Sequence, residues 1–335
     1  MSPADRQKLL ADVEAFCQEI RPHEELCYPA HQFNDQVLPL ARKHDILAMP
    51  VPVEYGGRGA DAVTYLRALT RIGREGTGVR TFFSGHTSIG EYPILAYGNE
   101  DQKRRYLPAA ARGEKILAFG LTEPEAGSNP LEMTSTYERR GDHYLLNGVK
   151  YLISNGGLCD AVVTFAYPRG ADGQKVPGSR ISAFIVDRGP GFVSEDLVAK
   201  MGMYTSNTAM FEMSECAVPL GNMLGEEGNG FRIAMGTLVS GRLSVAAGCL
   251  GVIEDCLAEC LVYAKERHQH GKPIGKHQLV QEHLAAIEQA RLASDAVLMV
   301  AAEAKDASNA APGDAALRQK ADILAAQAKL FITNA

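Results

Sequence analysis

No run of apolar residues in this 335-residue chain approaches the roughly 20 needed to cross a bilayer. Its opening, MSPADRQKLL, lacks the apolar core of a secretory signal, so the expectation is a cytosolic protein with no membrane partner. A long basic run is missing too. The formal net charge of -6, with both signs interspersed, leaves no electrostatic footprint for nucleic acid. Seven cysteines, an odd number scattered from Cys17 to Cys260, argue against a disulfide framework and for reduced thiols. Cys256 and Cys260 lie one helical turn apart, ahead of His268 and His270, but not at zinc-ligand spacing. They read as two buried thiols on a helix, and no metal site is expected. Tryptophan is absent altogether.

With 46% hydrophobic residues over this length, the chain can bury a large core and form two or three domains. Residues 1–117 read as helices. Leu9, Val13, Phe16 and Ile20 recur at helical spacing, with Pro22 expected to close that element, and further helices are expected over 37–46, 61–73 and 93–113. The connector at 50–61 contains Gly-Gly-Arg-Gly, but without the strand, helix and Gly-x-Gly-x-x-Gly context of a dinucleotide fingerprint. From Ala118 the period changes. HYLLNGVKYLIS (143–154) places Asn147-Gly148 between apolar-rich runs, a hairpin signal, and AVVTFAY, ISAFIV and TAMFEMSECAV are three more β-rich runs.

After LGEEGNGF (224–231) the pattern returns to helix. Leu243, Ala246, Leu250, Ile253, Leu257, Leu261 and Ala264 form one stripe, and Val280, Leu284, Ile287, Ala290, Ser294, Val297 and Ala301 a second. Leu317, Ala321, Leu324, Ala328 and Phe331 begin a third. The expected class is α+β and multidomain: helical over 1–117, a central β-barrel or sandwich-like domain over 118–226, and a four-helix bundle over 227–335. The third stripe reaches the last residue, Ala335, without a capping signal, so the bundle is expected to be incomplete. Its apolar stripes would then stand exposed, with poor solubility as the expected result.

The polar stretch AFGLTEPEAGSNP (118–130) sits where the helices give way to strands. Thr122, Ser128 and the amides around Gly127 make either a cradle for a ligand rich in oxygens or an elaborate capped turn. GLTEPEAGSN followed by NGVKYLISNGG resembles the first signature of the acyl-CoA dehydrogenase family. VPVEYGGRGAD, the 92–128 segment, LGEEGNGF and ERHQHGKPIGKHQLVQEHLA also fall in that family's order. The resemblance covers essentially the whole chain. It implies FAD as cofactor, an acyl-CoA substrate, an electron-transferring flavoprotein as partner and a homo-oligomer, dimer or tetramer, in fatty acid metabolism.

Residue by residue, the resemblance implies that Phe119, Leu121 and Thr122 line the flavin ring. Gly127 and Ser128 would meet phosphate or the acyl-CoA backbone, and Leu152, Ile153 and Ser154 would flank the flavin on a second strand. Arg267 and Gln269 would reach the FAD of a neighbouring subunit, and His277 and Gln278 follow at the family's next flavin-contacting position. Arg267 has an alternative reading as a cation favoured at a helix C-terminus. Arg242 would lie near bound acyl-CoA, or else be a buried arginine paired with a carboxylate. Phe82, Phe83 and His86 fall on the segment that helps form the acyl pocket. Asn129, Leu152 and His270 depart from the family's usual aspartate, tryptophan and phenylalanine.

The implied reaction is α,β-dehydrogenation of an acyl-CoA thioester to a trans-2-enoyl-CoA. It requires a carboxylate base in a dry pocket. The family places its glutamate either beyond the third bundle helix, here beyond Ala335, or before an arginine in the bundle, where this chain has Gly241-Arg242. No catalytic residue is therefore assigned, and Glu123 and Glu125 are candidates only by proximity. A flavin-dependent monooxygenase on the same fold and a non-catalytic acyl-CoA-binding homologue are the competing readings.

Overall fold

A computed structural model describes residues 1–335. Six helices lead the chain: α1 (Pro3–Cys27), α2 (Val37–Lys43), α3 (Ala62–Gly73), α4 (Thr77–Phe83), α5 (Tyr92–Tyr97) and α6 (Glu100–Ala111). A π-helical stretch, Ser84–Glu91, joins α4 to α5. Pro22 does not close α1, which continues to Cys27 around it. The missing N–H is tolerated because the last turn is anchored by Glu24, a buried carboxylate that accepts from Asn34 Nδ2 at 3.1 Å and from Thr205. The single helix expected over 93–113 is two, separated at Gly98 and restarted by a capping box in which Asn99 and Gln102 each satisfy the other's backbone N–H.

The strands are β1 (Leu117–Gly120), β2 (Thr136–Arg140), β3 (His143–Ser154), β4 (Ala161–Pro168), β5 (Ser182–Asp187), β6 (Phe192–Asp196), β7 (Thr208–Pro219) and β8 (Met223–Leu224). They form one mixed sheet in the order β6-β7-β3-β2-β4-β5-β8, with β1 parallel to β4. β2 touches β4 only at Thr136 and Tyr137, so the two halves fold over one another. They enclose a core that takes Val162, Phe184 and Val186 from one half and Leu146, Phe211 and Val218 from the other. Asn147-Gly148 is not a hairpin turn. It lies inside β3 at a bulge against β7, and the turn between β2 and β3 falls at Gly141 and Asp142 instead. Gly148 has φ +146, and any Cβ there would strike Ser135, so the glycine was selected by close approach within a strand rather than by a turn.

The chain then runs through α7 (Gly230–Glu266), a small hairpin of β9 (His268–Gln269) and β10 (Lys272–Pro273), α8 (Gln278–Ala310) and α9 (Ala315–Ile332). The N-terminal helices pack against both the sheet and these three, and α7 also meets the sheet directly. One core joins α1, α3 and α4 to α7, α8 and α9, and a second joins α5 and α6 to β1, β4, β5 and α7. The first turn of α3 shows the interlocking: Asp61 caps it through Thr64 N–H at 2.8 Å, while Asp306 of α8 accepts from the N–H groups of Ala62 and Val63. α3 and α7 cross almost backbone to backbone, with a Cβ on Gly73 reaching within 2.8 Å of Gly248 O and one on Gly251 clashing with Thr70 O. The second stripe is only half covered: Ser294 and Ala301 are buried, whereas Val280, Leu284 and Ile287 remain partly open.

Cys256 and Cys260 are exposed, not buried, because the stripe that buries α7 runs through Leu250, Leu257 and Ala264 and leaves both thiols outside it. No group of three His, Cys, Asp or Glu side chains is placed to hold a metal ion. No helix is long and apolar enough to cross a membrane. Gly251→Val tests the crossing. The added side chain should lower the unfolding free energy by about 1–3 kcal/mol, read as a lower urea midpoint at unchanged slope, and an unchanged midpoint would contradict the close approach.

Candidate functional site

At the end of β1 the chain leaves the sheet and turns back on itself. Glu123 and Ala126 exchange backbone hydrogen bonds of 3.0 and 3.1 Å around Pro124-Glu125. Asn129 then caps a short 3-10 turn by accepting from Leu131 N–H, while its amide donates to Glu132. Tyr151 N–H, displaced from the β3–β7 ladder by a second bulge, donates to Thr122 O at 2.9 Å and ties this turn to β3. The bulge leaves Leu152 at φ +60, a left-handed conformation uncommon for a side chain of its size, and 58% exposed.

Glu123 locks the turn from below. Its carboxylate accepts from Thr134 N and Oγ1, from Ser135 N and Oγ, and from Lys150 Nζ at 2.7 Å. Both members of the ion pair are buried. Burial alone would raise the Glu123 pKa, but the Lys150 charge and hydrogen bond, with help from Ser135 and Thr134, hold it below the usual carboxylate range. Burial lowers that of Lys150 while Glu123 opposes the shift. A carboxylate this fully occupied cannot accept a substrate proton, so Glu123 is structural. Glu125 is exposed outside the cleft.

These elements wall a cleft of 570 Å³. Phe119, Leu121, Thr122, Gly127 and Ser128 supply one side, Leu152, Ile153 and Ser154 a second, and α7 a third, from which Phe231, Met235, Leu238 and Arg242 project. The hydroxyls of Thr122, Ser128 and Ser154 and the guanidinium of Arg242 have no hydrogen-bond or ion-pair partner within the chain. Arg242 is thus not the carboxylate-paired arginine of the alternative reading. A larger cavity of 890 Å³ shares Phe231, Met235 and Arg242 with the cleft and extends between the π-helical stretch, α7 and the ends of α8 and α9. Phe82, Phe83 and His86 are wholly buried behind these spaces and line neither.

Arg267, Gln269, His277 and Gln278 are gathered elsewhere, on the β9–β10 hairpin and the start of α8. His277 Nε2 lies 3.3 Å from Gln269 O, and the Arg267, Gln269 and Gln278 side chains are exposed. At 1.5 Å per residue, Arg267 is roughly 37 Å along α7 from Arg242, so one chain does not bring these four residues to the cleft.

Three family models match the chain: the acyl-CoA dehydrogenase N-terminal domain over residues 3–114, the middle domain over 118–216 and the C-terminal domain over 228–335. An acyl-CoA dehydrogenase of Bacillus subtilis is 41% identical over 268 residues, which is 80% of this chain and 70% of that protein. The chain belongs to the acyl-CoA dehydrogenase family. Two solved structures agree with it. A chain from work on the electron transferring flavoprotein of Acidaminococcus fermentans superposes with a TM-score of 0.90 at 35% identity, over 100% of this chain and 84% of that one. An acyl-CoA dehydrogenase of Bacillus anthracis complexed with FAD gives 0.84 at 30% identity, over 99% of this chain and 55% of that one. Across four curated relatives the match takes in 61% to 70% of their length.

The cleft of this acyl-CoA dehydrogenase family member fits a group such as FAD on its own features. The hydroxyls of Thr122, Ser128 and Ser154 and the Arg242 guanidinium are unpartnered, the Leu152 side chain is uncovered, and a Cβ on Gly127 meets nothing within 4 Å. The α7 wall went unread in the sequence, although Phe231, Met235, Leu238 and Arg242 recur at helical spacing on a face separate from the core stripe.

Glu123→Gln should destabilise the protein by about 3–5 kcal/mol, because Lys150 is left buried and unpaired, and adding Lys150→Met should recover part of that loss. The carboxyl value is depressed on folding. Its stabilisation is therefore full above the ordinary value of 4.5 and is lost as pH falls through the lower folded value. Unfolding free energies measured by denaturant across this range should fall more steeply on acidification in the parent than in Glu123→Gln.

Proposed function

We propose that the protein is an FAD-dependent acyl-CoA dehydrogenase, removing an α-proton and a β-hydride from an acyl-CoA thioester to leave the trans-2-enoyl thioester. The observation that carries this reading is the cleft itself, in which three hydroxyls and a guanidinium without internal partners face one opening that continues into a larger cavity. FAD, when bound, supplies the two-electron acceptor. Thr122 and Ser154 hold and orient the ring system through their hydroxyls, and Phe119 and Leu152 pack on it by dispersion and keep water away. Leucine offers less contact area there than an indole would. Ser128 and Arg242 receive the oxygens of the acyl-CoA. The larger cavity, with Leu66, Leu95, Met235, Val239 and Leu243 in its wall, takes the acyl chain.

Electrons would pass to an electron-transferring flavoprotein, a partner supported by the context in which the Acidaminococcus neighbour was solved. Arg267, Gln269, His277 and Gln278 serve the cofactor of a second copy of the chain in this reading. The exposed Leu261, Val262, Tyr263 and Leu279 beside them supply apolar surface for a homo-oligomer.

A second reading, acyl-CoA binding without turnover, is favoured by one feature: no Asp or Glu is among the 16 residues that line the cleft. Anaerobic mixing of the FAD-loaded protein with straight, branched and aromatic acyl-CoAs separates the two. Dehydrogenation bleaches the flavin, whereas a spectral shift without bleaching supports the second reading and no response to any acyl-CoA contradicts both. Thr122→Val should weaken FAD binding about two- to tenfold, the loss of one hydrogen bond, as measured by equilibrium titration of the apoprotein.

A further inference from the structure

The wall of the larger cavity includes a buried carboxyl that has no partner within the chain. Glu91 ends the π-helical stretch Ser84–Glu91, lines the cavity, and is fully buried with neither carboxyl oxygen hydrogen-bonded. Facing it is His86, whose Nε2 stands 3.5 Å from Glu91 Oε1, beyond a normal hydrogen bond. Leu117 N–H donates to His86 Nδ1 at 3.0 Å, so the hydrogen of the neutral imidazole is on Nε2. Burial pushes the Glu91 carboxyl well above the usual range and His86 down to about 4, so both groups are shifted toward their uncharged forms.

Position and backbone make this arrangement durable. π-helical turns are rare and frequently occur at functional sites. Here the turns press against β1, where a Cβ on Gly90 would come within 2.8 Å of Leu117 Cβ. The hydroxyls of Tyr65 and Ser88, also in the cavity wall, hydrogen-bond one another at 2.7 Å and do not occupy Glu91. An unsatisfied buried carboxyl is costly, and a ligand that satisfies it is favoured over one that does not.

We propose that Glu91 is a specificity-determining residue of the acyl cavity and reads a neutral polar group, a hydroxyl, carbonyl or amide, carried on the acyl chain of the substrate. This rests on the dehydrogenase reading of the cleft and adds a substrate class to it. The carboxyl hydroxyl donates to an acceptor on the chain, and the carbonyl oxygen accepts from a hydroxyl or amide.

The test uses the full FAD-loaded chain and isothermal titration with short and medium ω-hydroxyacyl-CoAs, each paired with the acyl-CoA that has a methyl in place of the hydroxyl. The parent should bind at least one hydroxyl compound about tenfold more tightly than its methyl counterpart. Glu91→Gln, which keeps the shape and the hydrogen-bonding capacity, should retain the preference. Glu91→Leu should abolish it while the methyl compound still binds. Equal affinity across every pair, or a preference that survives Glu91→Leu, overturns the inference and leaves the dehydrogenase reading in place. An ω-aminoacyl-CoA favoured over the hydroxyl compound, with the advantage lost in Glu91→Gln, overturns it in favour of an ion pair. Failure of every acyl-CoA to bind overturns both.

Discussion

The buried contact between Lys150 and Glu123 is the constraint on which the cleft depends. An ammonium group fully removed from water is tolerable only with a fixed counter-charge, and the carboxylate is held in place by four further donors from Thr134 and Ser135. That requirement fixes the distance between the turn after β1 and the middle of β3. Thr122 precedes Glu123 and Leu152 follows Lys150 by two residues, so the separation of the cleft's two walls is set by a charge pair outside the cleft.

A second constraint comes from residues without side chains. The approach of α3 to α7 at Gly73, Gly248 and Gly251 brings the N-terminal helices close enough to share one core with the C-terminal ones. α7 thereby lies against both the helices and the sheet, and its first turns complete the cleft. The same helix continues to the β9–β10 hairpin, so residues implied in one function by the family pattern stand at opposite ends of one rigid element.

Much of this was legible in the sequence, for physical reasons that differ by region. Periodicity revealed the long helices because their stripes face continuous cores, and the motif around Thr122 revealed the first wall. Pro22 and Asn147-Gly148 misled, since local preference gave way to tertiary demand: a pinned Glu24 in one case, a crowded Ser135 in the other. The short β1, β2 and β6 carry too few residues for a period to show. Glu91 could not be distinguished from a surface acid, because burial is a property of neighbours that the string of residues does not display. Arg267 and its companions were assigned to a neighbouring copy by resemblance, and the length of α7 gives a geometric reason why they do not serve the cleft of their own chain.

The bulge at Tyr151-Leu152 separates the outline of the cleft wall from its texture. The path of the main chain there is held by Tyr151 N–H on Thr122 O and by Lys150 beneath, and neither anchor involves the side chain at 152. That side chain is a replaceable facing on a fixed partition. A broad aromatic plate could replace the narrow aliphatic one at this point while the masonry of the site stays where it was.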